Sequence, residues 1–277
     1  MAGRISENLH SQGPGFVLYQ GNCVEILAKL KPHSVDLIFA DPPYFLSNGG
    51  FTCQSGRRAP VKKGNWDKSQ GVQKDHAFAM EWLSACHRVL KPSGTLWVSG
   101  THHVIFSIGF AMQQLGYKIL NSVTWFKPNA SPNLSCRYFT HSTETLIWAS
   151  PVVEGKLLHT FNYQAMKAQN QGKQMRDLWS MPSPPKSEKQ HGRHPTQKPL
   201  TLLQRVISSS SAEHDVVLDP FSGSGTTGLA ALKLNRHYIG IELEPDYLKL
   251  SERRLLGAVP PRRTCLETRA FAAPSGP

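Results

Sequence analysis

Val216-Val217-Leu218-Asp219-Pro220-Phe221-Ser222-Gly223-Ser224-Gly225-Thr226-Thr227-Gly228 sets a short apolar run, an acid, an aromatic ring and a glycine-rich turn before a helix-forming stretch. Val216 to Leu218 reads as a buried strand and Gly225 to Leu234 as the helix that follows it. Gly223, Gly225 and Gly228 satisfy G-x-G-x-x-G, and glycines at a strand's carboxyl end let a ligand approach the backbone. Tyr238 to Ile241 is the next strand. It is closed by Glu242, near the spacing at which an acid meets a ribose in doubly wound sheets.

The same rhythm extends outward in both directions. Phe16 to Gln20 reads as a strand, Val24 to Leu30 as one or two helical turns, and Val35 to Ala40 as a second strand. Phe78 to Val89 has helical spacing and stops at Lys91-Pro92-Ser93-Gly94. Thr95 to Ser99, Ser122 to Phe126 and Glu144 to Ala149 read as strands. Val104 to Leu115, Leu200 to Ser210 and Asp246 to Leu256 read as helices. Strands alternating with helices predict an α/β fold, a mostly parallel, doubly wound Rossmann-like sheet covered on both faces.

Three stretches break the rhythm. Residues 1–15 look polar and poorly ordered. Ser47 to Lys74 is Gly-rich and basic, with Arg57, Arg58, Lys62, Lys63 and Lys68, and reads as a mobile loop. Pro151 to Arg193 mixes Lys173, Arg176, amides and aromatics, and could be a smaller recognition insertion. The expected organisation is therefore a first half over residues 16–150, the insertion over 151–193, a second half over 194–257, and a flexible tail over 258–277.

The strand Val35 to Ala40 ends in Asp41-Pro42-Pro43-Tyr44. Two prolines supply no backbone N–H and hold the chain out of a helix, so carbonyls and the Asp41 carboxylate can converge on an amine. Tyr44 adds a ring on which a planar group can stack. Taken alone, the tetrapeptide also fits a Pro-rich turn with a capping acid. The glycine turn likewise leaves a dinucleotide and S-adenosylmethionine (SAM) both open. Asp219 and Phe221 suit a cationic sulfonium better than a pyrophosphate, by charge sign and cation–π attraction. Asp41 to Tyr44, which a dehydrogenase does not need, points the same way.

Composition limits the partners. The chain has 277 residues with a formal net charge of +12, which argues for a polyanion rather than for any fold. The five cysteines are scattered without a Cys-x-x-Cys pair, so a disulfide framework and a zinc site are not expected. His102, His103 and His141 lack companions at metal spacing. No apolar stretch is long enough to span a membrane, and Met1 to Pro14 lacks a signal-peptide core, which predicts a cytoplasmic protein.

These motifs together resemble the β-class SAM-dependent DNA amino-methyltransferases, of the RsrI-like and DpnA-like kind, over roughly Phe16 to Leu256. Asp41 to Tyr44 looks like the family's catalytic motif, and Asp219 to Thr227 like its SAM loop. His194-Pro195-Thr196-Gln197-Lys198-Pro199 resembles the segment that meets the methionyl end of SAM. Asn133 to Trp148, including Arg137 and Thr143-Glu144, resembles the DpnA-like branch. The order, catalytic motif first and SAM loop last, is that of a circularly permuted methyltransferase sheet.

The resemblance implies a sequence-specific methyltransferase acting on adenine N6 of a flipped base in double-stranded DNA, solitary or paired with a restriction endonuclease. Catalytic residues would be Asp41, Pro42, Pro43 and Tyr44, with the ring of Tyr44 stacking on the base. SAM would be held by Asn22, Cys23, Asp41, His194, Thr196, Lys198, Asp219, Phe221, Ser222, Gly223, Ser224, Gly225, Thr226, Thr227 and Glu242. Asn22 stands where the family often has Asp. DNA would meet Arg57, Arg58, Lys62, Lys63, Lys68, Arg137, Lys173 and Arg176. A homodimer and association with the bacterial nucleoid are implied as well. Cytosine-N4 methylation is the alternative, a non-catalytic DNA-binding protein a weaker one, and related Asn-Pro-Pro-Tyr enzymes act on protein glutamines.

Overall fold

The computed structural model describes residues 4–47, 51–54, 57–60, 64–151 and 158–258. Its centre is a sheet of strands with both faces covered, and alternation within single strands shows why. Phe16 and Leu18 of β2 (Phe16–Gln20) and Leu37 and Phe39 of β3 (Val35–Ala40) enter one buried cluster. Their neighbours Val17, Tyr19, Ile38 and Ala40 enter a second cluster on the opposite face. Strands that bury both sides read as continuous apolar runs, the pattern of a parallel sheet core.

The second cluster is filled by α1 (Cys23–Lys29), α2 (Val72–Val89) and α3 (Ile105–Gln114), through Ile26, Leu27, Trp82, Leu83, Ile108 and Met112. The first takes Leu203, Val206, Ala230 and Leu248 from α5 (Leu200–Ser210), α6 (Thr226–Lys233) and α7 (Pro245–Leu256). Pro245 starts α7 where a missing N–H costs nothing.

Neighbours in the sheet run β1 (Leu9–Gly13), β2, β11 (His237–Glu242), β10 (Val216–Asp219), β3, β6 (Leu90–Gly100), β8 (Thr143–Ser150), β7 (Lys118–Phe126) and β9 (Leu178–Ser180). From β2 to β6 all pairings are parallel, while β8 runs antiparallel to both β6 and β7. The strand preceding the glycine turn is therefore a direct neighbour of the strand preceding Asp41, although 180 residues separate Val216 from the Asp36 carboxylate that accepts its N–H. The chain leaves β10 through α6 toward β11 and leaves β3 through α2 toward β6. Between β10 and β3 the winding reverses, and a crevice opens at the carboxyl ends of the strands.

Several expectations change. Leu9 to Gly13, read as part of a poorly ordered terminus, pairs antiparallel with β2. Its hydrogen bonds come from the partner strand, so its own sequence needs no apolar alternation. The basic stretch contains a hairpin of β4 (Phe51–Gln54) and β5 (Arg57–Pro60), and α2 begins at Val72 rather than Phe78. From the stretch read as an insertion, β9 joins the main sheet parallel to β7, and α4 (Tyr163–Gln169) lies against α5. Of the expected tail, residues 259–277 lie outside the described residues. No helix among the described residues is long and apolar enough to cross a membrane.

Candidate active site

Five parallel strands deliver polar groups to one edge. β3 ends at Asp41, β6 carries Ser99 and β10 ends at Asp219. β11 ends at Glu242, and β2 leads through Gly21 to Asn22. A cavity of about 530 Å³ opens there, within the size range of small-molecule sites. Asn22, Cys23, Asp41, Pro42, Pro43, Tyr44, His194, Thr196, Phe221, Gly223 and Glu242 all stand on its wall. Lys198, Asp219, Ser222, Ser224, Gly225, Thr226 and Thr227 do not, and lie behind it.

The residues behind the wall build it. Asp219 is 2% exposed and spends both oxygens on its own loop, accepting from Phe221 N at 2.9 Å and from the Thr227 hydroxyl at 2.6 Å. Burial raises its carboxyl to about 7, against those two hydrogen bonds. Gly225 has φ +69°, and a Cβ there would stand 2.6 Å from Ser251 Oγ. Gly223 has φ +50°, with the His194 ring 3.1 Å from a built Cβ. The turn thus needs glycine for its backbone and for close packing.

Glu242 is oriented by three amides. Gly223 N–H reaches Oε2 at 2.7 Å, and Leu243 and Glu244 N–H reach Oε1 at 2.8 and 2.9 Å. Burial still raises its pKa above the ordinary range. Asn22 accepts from Val24 N at 2.8 Å and so caps α1. Its amide NH2 is the part left for a ligand. Burial pushes the Cys23 thiol up to about 12, which keeps it neutral and poorly nucleophilic.

Asp41 sits in a network of opposite charges. Oδ2 lies 2.5 Å from Lys198 Nζ, and Oδ1 accepts from Ser99 Oγ at 3.0 Å and stands 2.7 Å from the Tyr44 hydroxyl. That hydroxyl also lies 3.0 Å from Glu144 Oε2, so one phenolic proton is shared between two carboxylates. Lys127 Nζ reaches Glu144 Oε1 at 2.5 Å, and Lys198 is 3.5 Å from Oε2. Burial alone would push the Glu144 carboxyl up, but the two ammonium groups outweigh it and hold it at about 2. Tyr44, expected to stack on the base, stands on the cavity wall. Its side chain is 6% exposed, its hydroxyl is held, and Lys198 lies 5.2 Å from its ring centroid.

Residues 35–253 match the model of a family described as DNA methylase. This chain belongs to that DNA methylase family. It is 52% identical over 239 residues, 86% of this chain and 88% of the relative, to the type II methyltransferase M2.LlaDCHI of Lactococcus lactis subsp. cremoris. It is 49% identical over 251 residues, 91% of each chain, to the type II methyltransferase M2.MboI of Moraxella bovis. Among solved structures it resembles the M1.HpyAVI–SAM complex at 29% identity and TM-score 0.65, covering 87% of this chain and 98% of that one. Its fold also matches the cytosine-N4-specific PvuII DNA methyltransferase, with TM-score 0.69 at 20% identity, covering 89% and 90%.

As a member of that family the chain is a DNA methyltransferase, and the M1.HpyAVI structure it resembles is a complex with SAM. This chain's own residues fit that cofactor. The cavity offers a three-amide-bound carboxylate in Glu242 and an aromatic ring in Phe221. Phe221 is braced edge-on by Trp82 at 5.4 Å. Both groups suit an adenosine carrying a positive charge.

The basic residues scatter more widely. Lys68 stands on the cavity wall, and Arg137 is exposed on the strand-free stretch between β7 and β8. Lys173 and Arg176 line a separate cavity of about 570 Å³ with Arg205 and Trp179. Arg57 and Arg58 lie on β5, and Lys62 and Lys63 fall outside the described residues. Sequence reasoning assigned no role to Ser99, Lys127 or Glu144 in the methylase. Ser99 and Lys127 lie at the carboxyl ends of β6 and β7, and Glu144 at the amino end of the antiparallel β8, which brings all three to one edge of the sheet.

Proposed function

We propose that this methylase is of the β class and transfers the SAM methyl group to adenine N6 at a specific sequence in duplex DNA. It would do so with a restriction endonuclease as partner or alone. The observation that carries the reading is Asp41, a carboxylate on the cavity wall directly before two prolines that offer no competing N–H. The 49–52% identity to type II methyltransferases supports the restriction-modification setting. A homodimer and a site of action at the bacterial nucleoid in the cytoplasm belong to the same proposal.

Bound in the cavity, SAM supplies an electrophilic methyl group on a sulfonium. Asp41 and the Pro42 carbonyl accept hydrogen bonds from the amine, which localises the nitrogen lone pair and directs it. The amine nitrogen would take the methyl as its bond to the sulfonium sulfur breaks, leaving a neutral thioether, and one N–H proton would pass through Asp41 to solvent, with no covalent bond to the protein. Tyr44 and Ser99 hold Asp41 by their hydroxyls, and Lys198 keeps its charge balanced until the amine arrives. Extruding a paired base costs a few kcal/mol, so phosphate contacts from Lys68, Arg137, Lys173 and Arg176 have to contribute. Such contacts predict affinity that falls steeply with salt.

The test is transfer of label from SAM to unmethylated genomic DNA, with nucleoside mass spectrometry and mapping of the modified positions. N6-methyladenine at one short motif, lost in Asp41→Ala with SAM still bound, is the expected result. N4-methylcytosine would move the assignment to the other base. Turnover by Asp41→Ala would remove its catalytic role.

A further inference from the structure

The turn after Asp41 continues through Phe45 in a left-handed conformation, φ +55°, which a residue with a Cβ adopts only when something holds it. Because Pro42 and Pro43 have no N–H, the first amide beyond Asp41 belongs to Tyr44. With Phe45 left-handed, the N–H groups of Tyr44 and Leu46 converge on one point, a backbone concavity of the kind that binds anions. The anion lodged there comes from the chain itself.

Asp67, fully buried at 0% exposure, accepts from Tyr44 N at 3.1 Å through Oδ1 and from Leu46 N at 3.2 Å through Oδ2. Oδ2 also accepts from the Ser47 hydroxyl at 2.8 Å, and the Asp67 carbonyl accepts from Ser47 N at 3.2 Å. Among the described residues no lysine, arginine or histidine nitrogen lies within 4.0 Å of this carboxylate. Its charge is met by the donors of the turn. A buried carboxylate with a single set of partners holds that set firmly, since releasing it would leave an uncompensated ion.

We propose that Asp67 is a positioning residue that holds the Tyr44–Ser47 turn in shape and couples it to the segment bearing Trp66 and Lys68. Trp66 stacks on His194 with ring centroids 6.4 Å apart, and both line the cavity together with Lys68. A cofactor against Trp66, or a DNA phosphate on Lys68, therefore bears on the backbone that aims Tyr44 at Asp41. Filling the site and ordering the catalytic turn become one event. The inference deepens the methyltransferase reading and rests on it for its effect on rate, while the hold on the turn stands independently.

The test compares full-length wild type, Asp67→Asn and Asp67→Ala in three measurements: SAM affinity, single-turnover methyl transfer to duplex DNA, and amide hydrogen exchange at residues 44–47. Losing the carboxylate is expected to slow transfer by about 100-fold, the scale of a small misplacement at a reacting centre. SAM affinity should change by less than about threefold. Exchange at Tyr44, Leu46 and Ser47 should accelerate in the SAM-bound protein. Asp67→Asn, isosteric and uncharged, should lie between and keeps the test open if Asp67→Ala does not fold. Unchanged exchange at 44–47, or a loss carried wholly by SAM affinity, would overturn the proposal. Wild type failing to methylate DNA would instead defeat the functional reading, and the exchange measurement would still decide whether Asp67 holds the turn.

Discussion

Lys198 Nζ lies 2.5 Å from Oδ2 of Asp41, joining residues 157 positions apart in the chain. The side chains are 7% and 15% exposed, so the pair is largely withdrawn from water. Burial pulls the Lys198 pKa down, and the facing carboxylates of Asp41 and Glu144 more than restore it. The helix α5 that follows Pro199 and the strand β3 that precedes Asp41 are thereby pinned together behind the cavity wall.

Removing that ammonium should be costly. Lys198→Met leaves Glu144 with Lys127 alone and Asp41 without its ion-pair partner, and breaking such a buried pair costs about 3–5 kcal/mol. Urea unfolding at pH 7.5 should show that loss. A cycle with Asp41→Asn should show a coupling of about 1 kcal/mol or more. Additive effects would mean that the two side chains do not depend on each other.

Glu144 makes a pH prediction of defined sign. Held at about 2 in the folded protein against an ordinary value of 4.5, it contributes stability that is complete above about pH 5. That contribution is lost as pH falls toward 2. It is on the order of 3 kcal/mol. Glu144→Gln should therefore be much less stable than wild type at pH 7, with the gap closing as pH falls from 5 to 3. A constant gap across that range would contradict the ion-pair origin.

Asp219 carries the opposite sign. Its carboxyl is raised to about 7 by burial, so the folded protein favours the protonated form. The contribution is present at low pH and is lost as pH rises from about 4 through 7. Asp219→Asn should accordingly gain on wild type in thermal melts of the cofactor-free protein between pH 5 and pH 8. A pH-independent difference would show that Asp219 titrates normally.

The glycine turn can be dissected by alanine. Gly228→Ala would drive a Cβ to 2.4 Å from the Tyr238 ring, and Gly225→Ala would meet Ser251 Oγ at 2.6 Å with φ at +69°. Overpacking of this kind costs about 1–3 kcal/mol. Gly172 has φ +77° with nothing within 4 Å of a built Cβ, so Gly172→Ala isolates the backbone strain. It should cost about 1–2 kcal/mol. Melting temperatures should rank Gly225→Ala below Gly172→Ala, because only the first carries both penalties.

Much of this architecture was legible beforehand. Val35 to Ala40 and Val216 to Leu218 announce themselves as strands because both of their faces are buried. Asp41 to Tyr44 and Gly223 to Gly228 stand out because proline and glycine constrain or free the backbone locally. β1 and β9 were not legible, since an edge strand draws its pairing from a neighbour and needs no apolar pattern of its own. Ser99, Lys127, Glu144 and Asp67 were silent for a related reason. Each is an ordinary polar residue whose importance lies in what it touches.

The sequence by itself determined the alternation of strands and helices, the two constrained turns and the positive charge, because periodicity, φ restriction and charge are properties of neighbouring residues. Only the tertiary structure decided that Lys198 faces Asp41 rather than the cavity, that Asp219 serves its own loop, and that the Tyr44 ring is buried with its hydroxyl bound. Those outcomes depend on which strand ends meet at the carboxyl edge of the sheet. There, burial makes every charge find a partner, and that partner comes from a distant part of the chain.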